Sequence, residues 1–229
     1  MSDDIAARLA AVHARIERAA RAAGRDPSSV RLLAVSKTKP EAAIRAAYAA
    51  GQRDFGENYV QELAEKAAAL TDLPDLRWHM IGHLQRNKAK QVVKLVSAIH
   101  TVDSVRLAEE LGKRAAEAAR DRLSVLVEVN VGGEVQKSGC APAELGSVIA
   151  AIERAPALGL SGLMTVPPHT DDPAGARPFF DRLVALRDAH GGVARLPELS
   201  MGMTHDLEQA IGAGATWVRI GTAIFGERA

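Results

Sequence analysis

At 229 residues the chain has room for one large α/β domain or two small ones, and with only 3% aromatic residues its core must be aliphatic. A balance of 29 Lys and Arg against 28 Asp and Glu, net +1, gives no electrostatic footprint for nucleic acid or an anionic membrane. A single cysteine, Cys140, excludes an internal disulfide or thiolate metal cluster; with no apolar run near ~20 residues and an acidic Met-Ser-Asp-Asp start, the expectation is a soluble, cytoplasmic protein.

Over 3–23, Ile5, Leu9, Val12, Ile16 and Ala20 recur at helical spacing with arginines opposite, and Gly24 stops the helix. A first strand over 30–35 follows, tipped by Ser36 and Lys37. Pro40 then opens an alanine-rich helix to Ala50 as its first residue, and Gly51 closes it. The unit repeats. The second strand lies over 53–57, and Asn58 with Gln61 three residues on has capping-box spacing for the next helix. The third strand, 76–81, is tipped by Gly82-His83-Leu84-Gln85 and leads to a basic helix through Lys94. The fourth, 98–102, precedes a helix over 105–119, and the fifth, 124–129, precedes a glycine-rich loop and a helix from about Pro142. The sixth, 159–164, is followed by a helix over 175–190, and the seventh, 198–200, by a helix over 204–211. The eighth, 216–220, is tipped by Gly221 and Thr222.

Strands alternating with helices imply a parallel sheet, and eight copies close a (β/α)8 barrel, here read as one domain over 1–229. An open doubly wound sheet is the alternative, though the first strand lacks the G-x-G-x-x-G turn of a dinucleotide site. The chain after the eighth strand, 223–229, supplies about two helical turns at most, so the amino-terminal helix is expected to cover that gap.

In a closed barrel the eighth strand lies beside the first, and the tips after strands seven and eight are where this fold frequently binds phosphate. Those tips read Ser200-Met201-Gly202-Met203-Thr204 and Arg219-Ile220-Gly221-Thr222-Ala223, with glycines, hydroxyls and a helix starting after each. Lys37 beside such a cup points to a phosphorylated aldehyde or ketone held as a Schiff base. Strand alternation puts Trp217, Arg219 and Gly221 on one face. If that face is inward, Arg219 stands where pyridoxal phosphate sites place a partner for the pyridine nitrogen.

Five ordered blocks carry a resemblance: Leu33-Ala34-Val35-Ser36-Lys37, Phe55-Gly56-Glu57-Asn58, His79-Met80-Ile81-Gly82-His83-Leu84-Gln85, Leu199-Ser200-Met201-Gly202-Met203, and the run from Val218 to Gly226. Over 30–228 the chain resembles the YggS/PROSC family of pyridoxal phosphate (PLP) homeostasis proteins. The resemblance implies a barrel like the amino-terminal domain of alanine racemase, with Lys37 as the aldimine lysine. It also implies that Ser200, Gly221 and Thr222 hold the phosphate, that Arg219 faces the pyridine nitrogen and that Asn58 lies near the ring. Met201 and Gly202 complete the first phosphate turn in this reading, and His83 at its strand tip joins the pocket. Thr204 stands where many relatives have Ser, which keeps the hydroxyl. Alanine racemase adds a second domain that brings a tyrosine base. Here Tyr48 and Tyr59 are the only tyrosines and neither is at a late strand tip. The implied function is a monomeric, non-catalytic PLP carrier that buffers the cofactor or delivers it to apo PLP-dependent enzymes. A single-domain racemase or lyase, and a barrel aldolase using Lys37, are the competing readings.

Other signals carry less. The segment 132–138 has a P-loop flavour, but Gln136 stands where its last glycine belongs; Lys137 there is a candidate for transient contact with a departing aldehyde. His79 and His83 have metal-chelating spacing only on a helix, and here they flank a strand end, so no metal is expected. Asn58, Ser200 and Thr222 also read as helix caps, and Lys37 taken by position alone reads as a solvated loop lysine, a reading that the later strand tips reverse. Arg86, Lys88, Lys90 and Lys94 form a basic stripe read as a solvated face.

Overall fold

Eight parallel strands close into a barrel in sequence order in the computed structural model, which describes residues 2–134 and 136–227. The strands are β1 Arg31–Val35, β2 Asp54–Glu57, β3 Arg77–Met80, β4 Ala98–Val102, β5 Leu123–Glu128, β6 Leu158–Met164, β7 Glu198–Ser200 and β8 Trp217–Ile220. Pairing of β1 with β8 along Leu33↔Arg219 and Ala34↔Ile220 closes the ring and disposes of the open-sheet alternative. The outer layer is α1 Ser2–Ala22, α2 Glu41–Ala49, α3 Val60–Ala69, α4 Ala89–Val92, α5 Val105–Glu117, α6 Leu145–Glu153, α7 Arg177–Ala189, α8 Gly192–Arg195, α9 Leu207–Ala213 and α10 Thr222–Phe225.

Strand alternation sorts the core into two compartments. Leu32, Ala34, Val125, Val127 and Val218 join the helices in one continuous aliphatic cluster. Inside the ring, Leu33, Gly56 and Ile81 crowd together near the mouth, and His79, His100 and Trp217 stack edge to face lower down. No described helix is long and apolar enough to cross a membrane.

The stripe Ile5, Leu9, Val12, Ile16 and Ala20 is buried as its spacing predicts, each large member contributing about 1.5–3 kcal/mol. It packs α1 against α2, α9 and α10, so the amino-terminal helix does cover the gap left by the one-turn α10. Arg15 fastens it, donating to both carboxylate oxygens of Glu208 at 2.9 Å and to the Thr204 carbonyl at 3.2 Å. Residues 228 and 229, into which the sequence extends the closing segment, lie outside the described residues.

Several boundaries differ from the sequence expectation for identifiable reasons. Pro40 is the cap rather than the first residue of α2, held extended at φ −70°, ψ 157°. Asn58 does not cap α3: the cap position is Tyr59, and no side chain bonds the helix start. α4 is a single turn after the 3-10 turn Arg86–Lys88; Ala89, Val92 and Val93 anchor it to the core while the basic stripe stays exposed. α8 lies between the expected helix over 175–190 and the seventh strand, where the sequence reading has no element; Gly191 and Gly192 both take positive φ and start this new turn. α9 begins three residues late because the Asp206 carboxylate first accepts the Met203 N–H at 2.6 Å, closing a turn.

Candidate functional site

A cavity of about 400 Å³ opens at the carboxyl ends of the strands, the size of a small-molecule site. Lys37 lines it from the end of β1, and the turn that carries Lys37 is clamped from below. Lys66 on α3 donates from Nζ to the Ser36 carbonyl, to Glu57 Oε1 and to Glu62 Oε1, each at 2.7 Å. Ser36 Oγ donates to the same Glu57 oxygen at 2.7 Å, and the Thr38 N–H donates to Glu62. Thr38 sits at φ 63°, a conformation costly for a β-branched residue, so the clamp holds this turn in a shape the chain would not choose alone. Burial raises the Glu57 pKa, and the Lys66 and Ser36 hydrogen bonds offset only part of that.

Asn58 reaches the cavity from the end of β2, and its Oδ1 is buried with no hydrogen-bond partner among the described residues. Backbone contact fixes this position: a Cβ on Gly82 would stand 2.2 Å from the Asn58 carbonyl oxygen, so only glycine allows β3 to pass so close. Opposite, Arg219 projects inward from β8, donating to Ser200 Oγ at 2.9 Å and to the Thr165 carbonyl at 2.8 Å. Burial lowers its pKa to about 10 against the opposing pull of Glu128 and Asp206, so it is a cation at neutral pH. Gly221 and Thr222 complete the wall. A Cβ on Gly221 would come 3.2 Å from the Val35 carbonyl, and Thr222 Oγ1 meets Thr204 Oγ1 at 3.2 Å.

Of the residues read from the sequence, Lys37, Asn58, Arg219, Gly221 and Thr222 share this cavity. Four others stand elsewhere. Ser200 is completely buried below the cavity, its hydroxyl between Arg219 and His100. Met201 packs in the aliphatic core, and Gly202 provides the turn at φ 92°. That turn brings Met203, Thr204 and His205 to the mouth instead. His83 points out to Asp103 at 3.3 Å with 57% of its side chain exposed, while His79 lies inside the barrel, so the two histidines diverge. Lys137 bonds the Pro167 carbonyl at 3.0 Å and Glu134 at 2.6 Å beside a smaller adjoining cavity of about 200 Å³. Sequence reasoning missed Val35, Ile81 and Val166 on the cavity wall; inward alternation from Lys37 and His79 carried the signal for the first two.

Glu128, at the end of β5, is a buried carboxyl that the sequence did not single out. Burial pushes its pKa up to about 7, Asp103 adds to the rise and Arg219 opposes it; Oε2 has no hydrogen-bond partner among the described residues. A carboxyl with a raised folded pKa holds its proton where the unfolded chain has released it, so it withdraws stability as pH climbs from about 4.5 through about 7. Glu128→Gln is expected to match the wild type at about pH 4 and exceed it by on the order of 3 kcal/mol at about pH 8 in urea unfolding. Identical pH slopes for the two proteins would refute this.

Comparison with known proteins places this geometry. The family described as alanine racemase, N-terminal domain, matches residues 7–229. The pyridoxal phosphate homeostasis protein of Pseudomonas aeruginosa is 52% identical over 225 residues, covering 98% of this chain and 96% of its own. That of Escherichia coli K12 is 44% identical, covering 99% and 97%. Among solved structures, PipY of Synechococcus elongatus with PLP bound is 41% identical with a TM-score of 0.83, covering 97% of this chain and all of its own.

Proposed function

This chain belongs to the pyridoxal phosphate homeostasis protein family, and from that premise we propose that its barrel mouth holds pyridoxal 5'-phosphate and that the protein serves PLP homeostasis as a carrier. The observation that carries the reading is the meeting of Lys37 from β1 with Arg219, Gly221 and Thr222 from β8 around one cavity. The residues present fit the cofactor. An orphaned, buried Asn58 Oδ1 awaits a donor or an edge-on ring contact, and Gly221 lets the chain after β8 lie close against Val35 of β1, which keeps Lys37 and Thr222 on one cavity wall.

Bound PLP supplies an electrophilic aldehyde on a pyridine ring with a dianionic phosphate. Lys37, on the cavity wall, would present its amine to that aldehyde. Thr204 and Thr222 offer hydroxyls to the phosphate, together with the first amides of α10, which lack intrahelical acceptors. Arg219, a cation, opposes protonation of the pyridine nitrogen and so keeps the ring a poor electron sink. Tyr48 lies under Arg53 at 3.9 Å and Tyr59 is 59% exposed; neither lines the cavity, so no tyrosine stands ready as a second proton-transfer group. These points support holding PLP over turnover of amino acids, and the role proposed with them is delivery to apo-enzymes by a cytoplasmic monomer.

The test is direct. Purified protein mixed with PLP is expected to turn yellow, bleach with borohydride and yield one reduced adduct, mapped by mass spectrometry to the peptide containing Lys37. In heavy water it should exchange the α-proton of L- or D-alanine no faster than free PLP. An adduct on another lysine defeats the site assignment, and rapid exchange defeats the carrier role.

A further inference from the structure

Below the cavity, polar side chains form a continuous column through the barrel. Arg219 donates to Ser200 Oγ at 2.9 Å; Ser200 Oγ meets His100 Nδ1 at 2.9 Å; His100 Nε2 meets His79 Nδ1 at 3.1 Å; and His79 Nε2 meets Asp54 Oδ1 at 3.0 Å. At the base, Arg77 forks onto both Asp54 oxygens at 2.7 Å, and hydrogen bonds from Arg77 and His79 overcome burial to hold the carboxyl ionised. Trp217 lies edge-on to both rings and is itself bonded to Glu198, with Arg31 over its face. Arg31, Asp54, Arg77, Glu198 and Arg219 are thus the charged groups around the two histidines, and Glu128 lies near Arg219.

The two ends fix the direction of every proton in the column. Arginine only donates and an ionised carboxylate only accepts, while Ser200 and two neutral imidazoles each offer one donor and one acceptor. All four contacts are satisfied when Ser200 O–H points to His100 Nδ1, His100 Nε2–H to His79 Nδ1 and His79 Nε2–H to Asp54. Burial among cations keeps His100 neutral, as this arrangement requires. Protonating His79 would turn His100 around, leave Ser200 accepting twice and strand its hydroxyl proton.

We propose that His79 and His100 are positioning residues for Arg219: with Ser200 and Asp54 they form a one-way hydrogen-bonded column that aims the guanidinium at the pyridine side of the bound cofactor. This rests on the PLP reading for its consequence, but the column itself exists without ligand. It explains why Ser200 is buried and not in the cavity wall, and why two histidines occupy the middle of the barrel.

Two measurements separate the claims. In ligand-free protein carrying isotope-labelled histidine, long-range hydrogen–nitrogen NMR is expected to show protonated Nε2 and bare Nδ1 on both rings at neutral pH. Ser200→Ala should shift the His100 Nδ1 resonance. In the loaded protein, His100→Phe, which keeps the ring and removes both nitrogens, is expected to weaken PLP binding about tenfold and move the visible absorption band. His100→Gln, whose amide can accept from Ser200 and donate to His79, should recover both. A proton on His100 Nδ1 in the ligand-free spectra overturns the proposal, as do unchanged affinity and absorption in His100→Phe. If His100→Phe does not fold, the NMR on wild type and Ser200→Ala decides. A wild type that takes up no PLP would defeat the functional reading and leave the column to be judged by its NMR.

Discussion

Lys37→Ala protein is expected to remain colourless in excess PLP and to give no borohydride-stable adduct. The side chain lines the cavity at the end of β1, and the clamp on its turn works through the Ser36 carbonyl and the Thr38 N–H, which alanine leaves intact. The ligand-free variant should therefore keep the wild-type circular dichroism spectrum. Residual non-covalent binding through the phosphate wall should fall by roughly 10–100-fold, about 1.4–2.8 kcal/mol for a lost charge-assisted contact before the covalent bond is counted. Thermal shift reads the same loss. A ligand at a hundred times its Kd stabilises by about 2.7 kcal/mol, roughly 5–11 °C for a chain of this size. Lys37→Ala should show almost none of that shift, and Lys37→Arg, which keeps the charge but cannot condense, should show only a small part. A yellow, reducible Lys37→Ala complex would send the search to another amine.

The largest effect on stability is expected at Lys66. Its side chain is 7% exposed and that of Glu57 is completely buried, so Lys66→Met leaves a buried carboxylate with Ser36 as its one remaining partner. Breaking a buried pair from one side costs about 3–5 kcal/mol, which corresponds to roughly 6–20 °C in Tm here. Burial already holds the Glu57 pKa above the ordinary value, and removing the cation raises it further. The folded variant then holds a proton that its unfolded chain gives up, so it should be most stable in acid and weaken as pH rises toward 8. The double variant Lys66→Met/Glu57→Gln should recover much of the loss and flatten that dependence. A single-variant drop under about 3 °C with no pH dependence would mean that solvent, and not Lys66, compensates Glu57. PLP binding should weaken in parallel, since the same ammonium holds the Ser36 carbonyl under Lys37.

The barrel was legible because strands such as β1, β5 and β8 announce themselves by apolar content, and the shorter β2 and β7 by their place between helical runs and the glycines or hydroxyls at their tips. Lys37 and Arg219 could be paired from sequence once eight units were counted, since closure alone puts β8 beside β1. Local geometry was harder to read. The positive φ of Gly202 ends β7 so abruptly that the three residues after it, and not those before, return to the mouth. The close passage of Gly82 over Asn58 redirects the chain and takes His83 outward. Burial of charge was the least visible. Lys66 with Glu62 four residues earlier looks like an ordinary exposed helix pair, and only the fold shows that Glu57 completes it from inside. His79 and His100 come from different strands, and their spacing in sequence carries no trace of the column they build.

The seam between β1 and β8 also orders events during synthesis. Lys37 leaves the ribosome early, while Arg219 and the Gly221-Thr222 turn arrive with the last strand. With the cofactor site proposed above, a nascent chain would meet the vitamin aldehyde but would not retain it until translation is almost finished. By the same logic, a protease cutting behind α9 would turn a loaded carrier into a source of free cofactor.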